Sequence, residues 1–188
     1  MTCIAALIDK NIVWIGGDTC GSDLYDYTTG YHSKVFKNGE FLFGGTTSFR
    51  MLDLLQYVFN PPYIEKKDEE DFDKYMRTKF IDNFRKCLAN GGFLEKKNEV
   101  EQGGNFLVGF RDKLFEIQSD FSVLNPPKWG SAVGCGHVAA KASLYTTVNL
   151  NIFSPEERIK KALETSEAIN CHVRGPFTIF NTENLNNG

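Results

Sequence analysis

Residues 2–19 read TCIAALIDKNIVWIGGDT, and residues 33–57 read SKVFKNGEFLFGGTTSFRMLDLLQY. In the first stretch two apolar runs, CIAALID and IVWIGG, flank Asp9, Lys10 and Asn11. Runs of this length bounded by turn residues predict a buried β-hairpin. In the second stretch Asn38-Gly39 separates KVFK from EFLFGG, the strongest short-range hairpin signal. Residues 48–59 then carry apolar side chains at helical spacing and stop before Pro61-Pro62, which predicts a helix.

The pattern of strands followed by helices then repeats. Residues 71–89 place Phe72, Tyr75, Met76, Phe80, Phe84, Cys87 and Leu88 on one stripe, ended by Gly91-Gly92. NFLVGF, KLFEIQ and DFSVL read as further strands, and SAVGCG as a short strand entering a glycine turn. Residues 137–147 form a helix of small residues. Ser154-Pro155-Glu156-Glu157 is a helix start with a serine N-cap, proline at N1 and glutamate at N3, and that helix extends to about Asn170. GPFTIFN returns as the last strand. One pair of helices lies between two strand blocks and a second pair follows them. Two sheets face to face, each covered outside by helices, would bury every apolar face. The expected class is α+β, a four-layer α-β-β-α sandwich; a single mixed sheet uses the same elements.

Composition narrows the function classes. At 188 residues the chain suffices for one domain, residues 1–188, with a full core. A net charge of -3 and a pI near 5.7 speak against nucleic acid and against an anionic membrane surface as partners. No apolar run approaches the ~20 residues of a membrane helix. The start lacks the basic region of a signal peptide. Five cysteines, Cys3, Cys20, Cys87, Cys135 and Cys171, are odd in number and form no CxxC pair. They read as free thiols of a cytoplasmic protein, with no zinc or other metal site. The charged run EKKDEEDFDK reads as a solvated loop and helix start.

Three polar residues stand at equal intervals of sixteen: Thr2, Asp18 and Lys34. Removal of Met1 would give Thr2 a free amine beside its hydroxyl, a nucleophile and base in one residue. A lysine ammonium nearby favours the neutral amine, because two cations disfavour each other, and a buried aspartate would hold that lysine in place. Taken singly, each has a plainer reading: an ordinary second residue, a turn aspartate after glycine, a solvated lysine.

TCIAALIDKNIVWIGGDT and SKVFKNGEFLFGGTTSFRMLDLLQY together resemble the catalytic β-type subunits of the proteasome. The resemblance is greater to the simpler bacterial threonine protease of the HslV type, and to proteasome-like proteins of phages and bacteria that begin Met-Thr-Cys. It covers most of the chain, is strongest through Tyr57 and returns at SAVGCG and RIKKALETSEAI; residues 60–104 add little. The resemblance implies the N-terminal-nucleophile hydrolase fold and a threonine-type endopeptidase with Thr2 as nucleophile, Asp18 orienting Lys34, and no cofactor. It further implies peptide or unfolded protein as substrate, a ring of identical subunits, and an ATP-dependent unfoldase as candidate partner. Gly45 matches the family's oxyanion donor, with Gly44 as the one-residue alternative beside the substrate; both also suit a strand-to-helix turn.

The chain departs from the family at GCG. Cys135 stands where a serine usually lies near the threonine amine, and a thiol is the weaker hydrogen-bonding group. Near the end of the last helix, an aspartate and a serine of the proteasome pattern are replaced by Asn170 and Val173. His32, two residues before Lys34, would share its strand face and line a specificity pocket, or sit exposed at a strand end. His137 and His172 read as helix-end residues. Cys3 is a rival nucleophile, but in a strand it faces away from Thr2. A small-molecule amidase or acylase on the same fold, or an inactive assembly subunit, remain as alternative functions.

Overall fold

The computed structural model describes residues 2–22, 25–30, 32–97 and 100–183. Met1, whose removal the threonine reading requires, lies outside them. A first sheet contains β1 (Cys3–Asp9) and β2 (Ile12–Gly17). The small strands β3 (Gly21–Ser22) and β4 (Tyr27–Thr28) pair with each other. A second sheet begins with β5 (Val35–Asn38) and β6 (Phe41–Gly45). Another small pair is β7 (Glu95–Lys97) with β8 (Val100–Gln102). Then follow β9 (Phe106–Phe110), β10 (Lys113–Ile117), β11 (Val123–Leu124), β12 (Ser131–Gly134) and β13 (Thr178–Asn181). The first sheet runs β12-β1-β2-β13 and the second β11-β10-β9-β6-β5, every pairing antiparallel.

Both expected hairpins form. Lys10 and Asn11 take φ of 48° and 63°, the left-handed pair that a tight β1–β2 turn needs. Gly39, at φ 58°, turns β5 into β6. Helix α1 (Phe49–Asp53) is capped by the Ser48 side chain, which accepts from the Arg50 N–H, and continues as a π-helical turn, Leu54–Val58. Helix α2 (Lys66–Glu70) lies in the charged run and closes a capping box between Glu65 and Asp68. The helix expected over residues 71–89 is α3 (Phe72–Tyr75), a π turn (Met76–Phe80), then α4 (Ile81–Asn90). Its buried stripe explains the break. Phe72, Met76, Phe80, Phe84 and Leu88 recur every four residues, a spacing that drifts around a helix of 3.6 residues per turn. A wider π turn brings the stripe back onto the sheet. Helix α5 is His137–Thr147, and α6 is Pro155–Ile169, with the capping box of Ser154 and Glu157.

Strand alternation sorts side chains into three apolar clusters. Cys3, Ala5 and Leu7 of β1 pack with Ala140 and Leu144 of α5 and Ile159, Ala162 and Leu163 of α6. From the opposite face, Ile4, Ala6, Val13 and Ile15 meet Val35, Leu42, Leu107 and Leu114 of the second sheet. The second sheet's other face turns Phe41, Phe43, Phe106 and Phe110 toward α1, α3 and α4. There Phe72 stacks on Phe110 with ring centroids 4.4 Å apart. Each such buried phenylalanine contributes about 2–3 kcal/mol from water exclusion. The inter-sheet cluster brings the start of β1, the end of β2, and the β5–β6 hairpin together at one end of the molecule.

Candidate active site

Thr2 precedes β1 and is 3 % exposed. Its backbone is clamped by the GCG turn after β12. The Thr2 carbonyl accepts from the Gly136 N–H at 3.3 Å and from the Cys135 thiol at 3.4 Å. The Thr2 nitrogen lies 3.3 Å from Cys135 Sγ. This approach requires both glycines. Gly134 has φ 94°, and a Cβ there would stand 2.2 Å from the Thr2 carbonyl oxygen; a Cβ on Gly136 would meet Cys3 Cβ at 2.8 Å.

Asp18 follows β2 and is fully buried. Its Oδ1 accepts from the Cys3 N–H at 2.8 Å, and its Oδ2 from the Cys20 N–H at 3.1 Å and from Lys34 Nζ at 2.9 Å. Lys34 Nζ also donates to the Cys20 carbonyl at 2.6 Å. Burial pushes the Asp18 carboxyl up, and the Lys34 ammonium with the two backbone donors opposes that push. Asp18 thereby ties β1, which carries Thr2, to Lys34. Thr2 and Lys34 line one cavity of about 350 Å3, together with Cys20, Ser22, Gly45, the 46–48 turn, Phe49, Arg50 and Leu52.

The two glycines of β6 take other places than expected. The Gly45 N–H donates to the Lys34 carbonyl at 3.0 Å, just beyond the open end of the β5–β6 ladder, so it is not free to meet an oxyanion. Gly45 lines the cavity, and a Cβ there would hit Leu52 Cδ2 at 2.4 Å. Gly44 does not line it: a Cβ on Gly44 would meet Ile4 and Ile15 at 2.5 and 2.9 Å, inside the inter-sheet core. The exposed donor comes two residues later. Thr47 has φ 81°, a left-handed value rare for a β-branched residue, at the centre of a three-residue turn closed by Ser48 N–H to Thr46 O at 3.1 Å. Thr46 is anchored to the Asn105 carbonyl through its N–H at 3.1 Å and its hydroxyl at 3.0 Å. Among the described residues no partner occupies the Thr47 N–H. Strain of this kind costs about 1–3 kcal/mol and concentrates at functional sites.

His32 also lies elsewhere than expected. It lines a neighbouring cleft with Gln56, Tyr57 and Phe180, not the cavity of Thr2. Its Nε2 is 2.8 Å from Asp53 Oδ1, its Nδ1 2.8 Å from the Ser33 carbonyl, and its ring lies 5.1 Å from Phe49. It therefore braces a wall residue from behind. His137 Nδ1 bonds the Gly134 carbonyl at 2.8 Å. His172, placed by the sequence only at a helix end, contacts Ser22 Oγ at 3.3 Å. Asn170 reaches the Cys135 turn: its Nδ2 donates to the Cys135 carbonyl at 3.2 Å, and its Oδ1 accepts from the His172 N–H at 2.9 Å and lies 3.7 Å from Cys135 Sγ, a second acceptor for the one thiol proton. Val173 is buried against Gly136. Cys3 faces the opposite side, 3.4 Å from Ser166 Oγ, and burial pushes its thiol up to about 12. A thiol so placed is no nucleophile. Ser22, Thr47, Phe49 and Arg50 were not singled out by sequence, because they join Thr2 only through folding; Thr47 bears no glycine to advertise its φ.

No family model matches the chain, and no curated protein sequence matches it. Solved structures do. BPH of Thiobacillus denitrificans aligns over 96 % of this chain and 97 % of its own at 14 % identity, with a TM-score of 0.77. The same protein in complex with epoxomicin gives 15 % identity over the same coverages and a TM-score of 0.76. The eukaryotic HslV of Trypanosoma brucei gives 16 % identity, coverages of 96 % and 98 %, and a TM-score of 0.70. At this identity the likeness speaks for the fold, and the chain has the fold of the proteasome-type N-terminal-nucleophile proteins.

Proposed function

We propose that this protein is a threonine-type endopeptidase whose nucleophile is Thr2 after loss of Met1. The observation that carries the reading is the cavity in which Thr2 meets Lys34 and the rim of the Thr47 turn, with Asp18 bonded to both β1 and Lys34. In this reading the free Thr2 amine takes the hydroxyl proton, and Oγ attacks the peptide carbonyl carbon. The Thr47 N–H, in place of the Gly45 N–H, stabilises the oxyanion. As the tetrahedral species collapses, the amine returns its proton to the leaving nitrogen and an ester remains on Thr2 Oγ. Water, deprotonated by the same amine, then attacks the ester and releases the acid. Lys34 keeps the amine neutral by its charge, and Cys135 and Asn170 orient the Thr2 backbone.

We read the stacking of the two sheets and their helices as the four-layer α-β-β-α sandwich, folded as one domain. A homo-oligomeric ring enclosing the sites, an ATP-dependent unfoldase and a cytoplasmic location belong to the same proposal. Among the described residues no helix is long and apolar enough to cross a membrane. The test is Thr2→Ala assayed on fluorogenic peptides. The expected result is loss of turnover by a factor of about 10^4 or more with an unchanged circular dichroism spectrum. Retained activity in that variant would remove Thr2 from the chemistry.

A further inference from the structure

Arg50 is an exposed residue in the wall of the Thr2 cavity. Arg77, Arg85 and Arg111 each pair with a carboxylate, Arg158 is buried against the carbonyls of Trp129 and Leu144, and Arg174, which does not line the cavity, has no ion pair among the described residues. Arg50 makes no ion pair among the described residues. The acid nearest in its helix, Asp53, is held by His32 at 2.8 Å. The other cation of the wall, Lys34, is countered from behind by Asp18 at 2.9 Å. The described lining contributes two cations and no carboxylate; its remaining polar side chains are the Cys20 thiol and the hydroxyls of Thr2, Ser22, Thr46, Thr47 and Ser48. The Ser48 oxygen already accepts from the Arg50 N–H, which leaves its hydroxyl proton to donate.

We propose that the cavity selects peptides with an acidic side chain beside the bond presented to Thr2, Arg50 recognising the carboxylate and the Ser48 hydroxyl supplying a second donor. This specificity rests on the peptidase reading. A guanidinium offers a carboxylate charge-assisted, bidentate hydrogen bonds. A lysine or arginine side chain in the same place meets a like charge that no carboxylate of the described lining neutralises. Both effects weaken with salt, since the cavity is open to solvent.

The experiment measures binding apart from turnover. Fluorescein-labelled hexapeptides identical but for one central Asp, Leu or Lys are titrated into the full-length Thr2→Ala protein and followed by anisotropy. The same three peptides are offered to the wild type for cleavage. The Asp peptide is expected to bind about tenfold tighter than the Lys peptide at low salt, with Leu between them and the ratio shrinking at high salt. Arg50→Gln should reduce the ratio to about twofold, and Arg50→Glu should invert it. In the wild type the same order should appear in KM rather than kcat. Equal binding of the three, no binding of any, or a preference that survives Arg50→Gln would overturn the inference. Selective binding of the Asp peptide without cleavage by the wild type would leave the acidic specificity standing and overturn the peptidase reading instead.

Discussion

In the proposed peptidase, Cys135 stands beside Thr2 where the family that the chain resembles carries a serine. Its thiol lies 3.3 Å from the Thr2 nitrogen and accepts a weak hydrogen bond where a hydroxyl would accept a stronger one. Cys135→Ser should therefore keep or raise kcat, measured on the same peptides; a loss of more than about tenfold would mean that the thiol has a role of its own. Thiol chemistry separates the cysteines further. Cys135 is exposed, whereas Cys3 is buried with its thiol pushed up to about 12. The thiolate of Cys3 forms only as pH climbs toward that value, so iodoacetamide at pH 8 should label Cys135 and spare Cys3, read by peptide mass mapping. The meeting in space of Thr2, Asp18, Lys34 and Cys135 was legible in the sequence, because strand order and spacing carry it. The Thr47 turn was not. Two adjacent glycines at the end of β6 draw attention to themselves, while the N–H left open among the described residues belongs to Thr47, left-handed beside the Asn105-anchored Thr46. Replacing Thr47 by its α-hydroxy acid, which exchanges that N–H for an ester oxygen and keeps the φ of 81° accessible, should cut kcat by about 10^2–10^3. Unaltered kcat would return the donor to another group.

The GCG turn and the β1 strand form one unit at the level of elements. β12 pairs with β1 from Cys3↔Gly134 to Ala6↔Ser131, and the turn then folds back over the Thr2 carbonyl. Gly134→Ala puts a Cβ 2.2 Å from that oxygen, at a φ of 94°. A stability loss of about 2–4 kcal/mol in urea unfolding is expected, with displacement of Thr2 and loss of activity. A loss below about 0.5 kcal/mol would mean that the turn relaxes freely. The hairpins, the capping box of α6 and the glycine turn were legible from local chemistry, which acts over a few residues. The π turns beside α1 and α4 were not, since a four-residue apolar repeat fits an α-helix until the sheet beneath fixes its direction. The small pairs β3–β4 and β7–β8 lack any strong alternation and escaped the reading for that reason. His32 departs from the expectation because β5 begins only at Val35, so strand alternation does not reach it, and its ring pairs with Asp53.

Across the whole molecule, the inter-sheet core sets the site. Ile4, Ile15 and Val35 pack together, so the residues flanking their strands, Thr2, Asp18 and Lys34, are brought to one site. The Asp18–Lys34 pair locks that convergence in a buried place. Lys34→Ala would leave a buried carboxylate without its cation and should cost about 3–5 kcal/mol in urea unfolding. A cost under about 1 kcal/mol would mean that water reaches Asp18. Val138, Tyr145, Ile152 and Ile169 are exposed apolar side chains on the helical side that carries α5 and α6. If subunits assemble, sedimentation velocity at micromolar concentration will show a species several times the 21.2 kDa chain; monomer alone would contradict the ring. The central claim is a live N-terminal threonine, and intact mass after incubation with a peptide epoxyketone tests it most directly, because that warhead closes on a threonine hydroxyl and a free α-amine together. The expected result is a mass lacking Met1 plus one adduct, absent in Thr2→Ala. A retained Met1 with no adduct would contradict it.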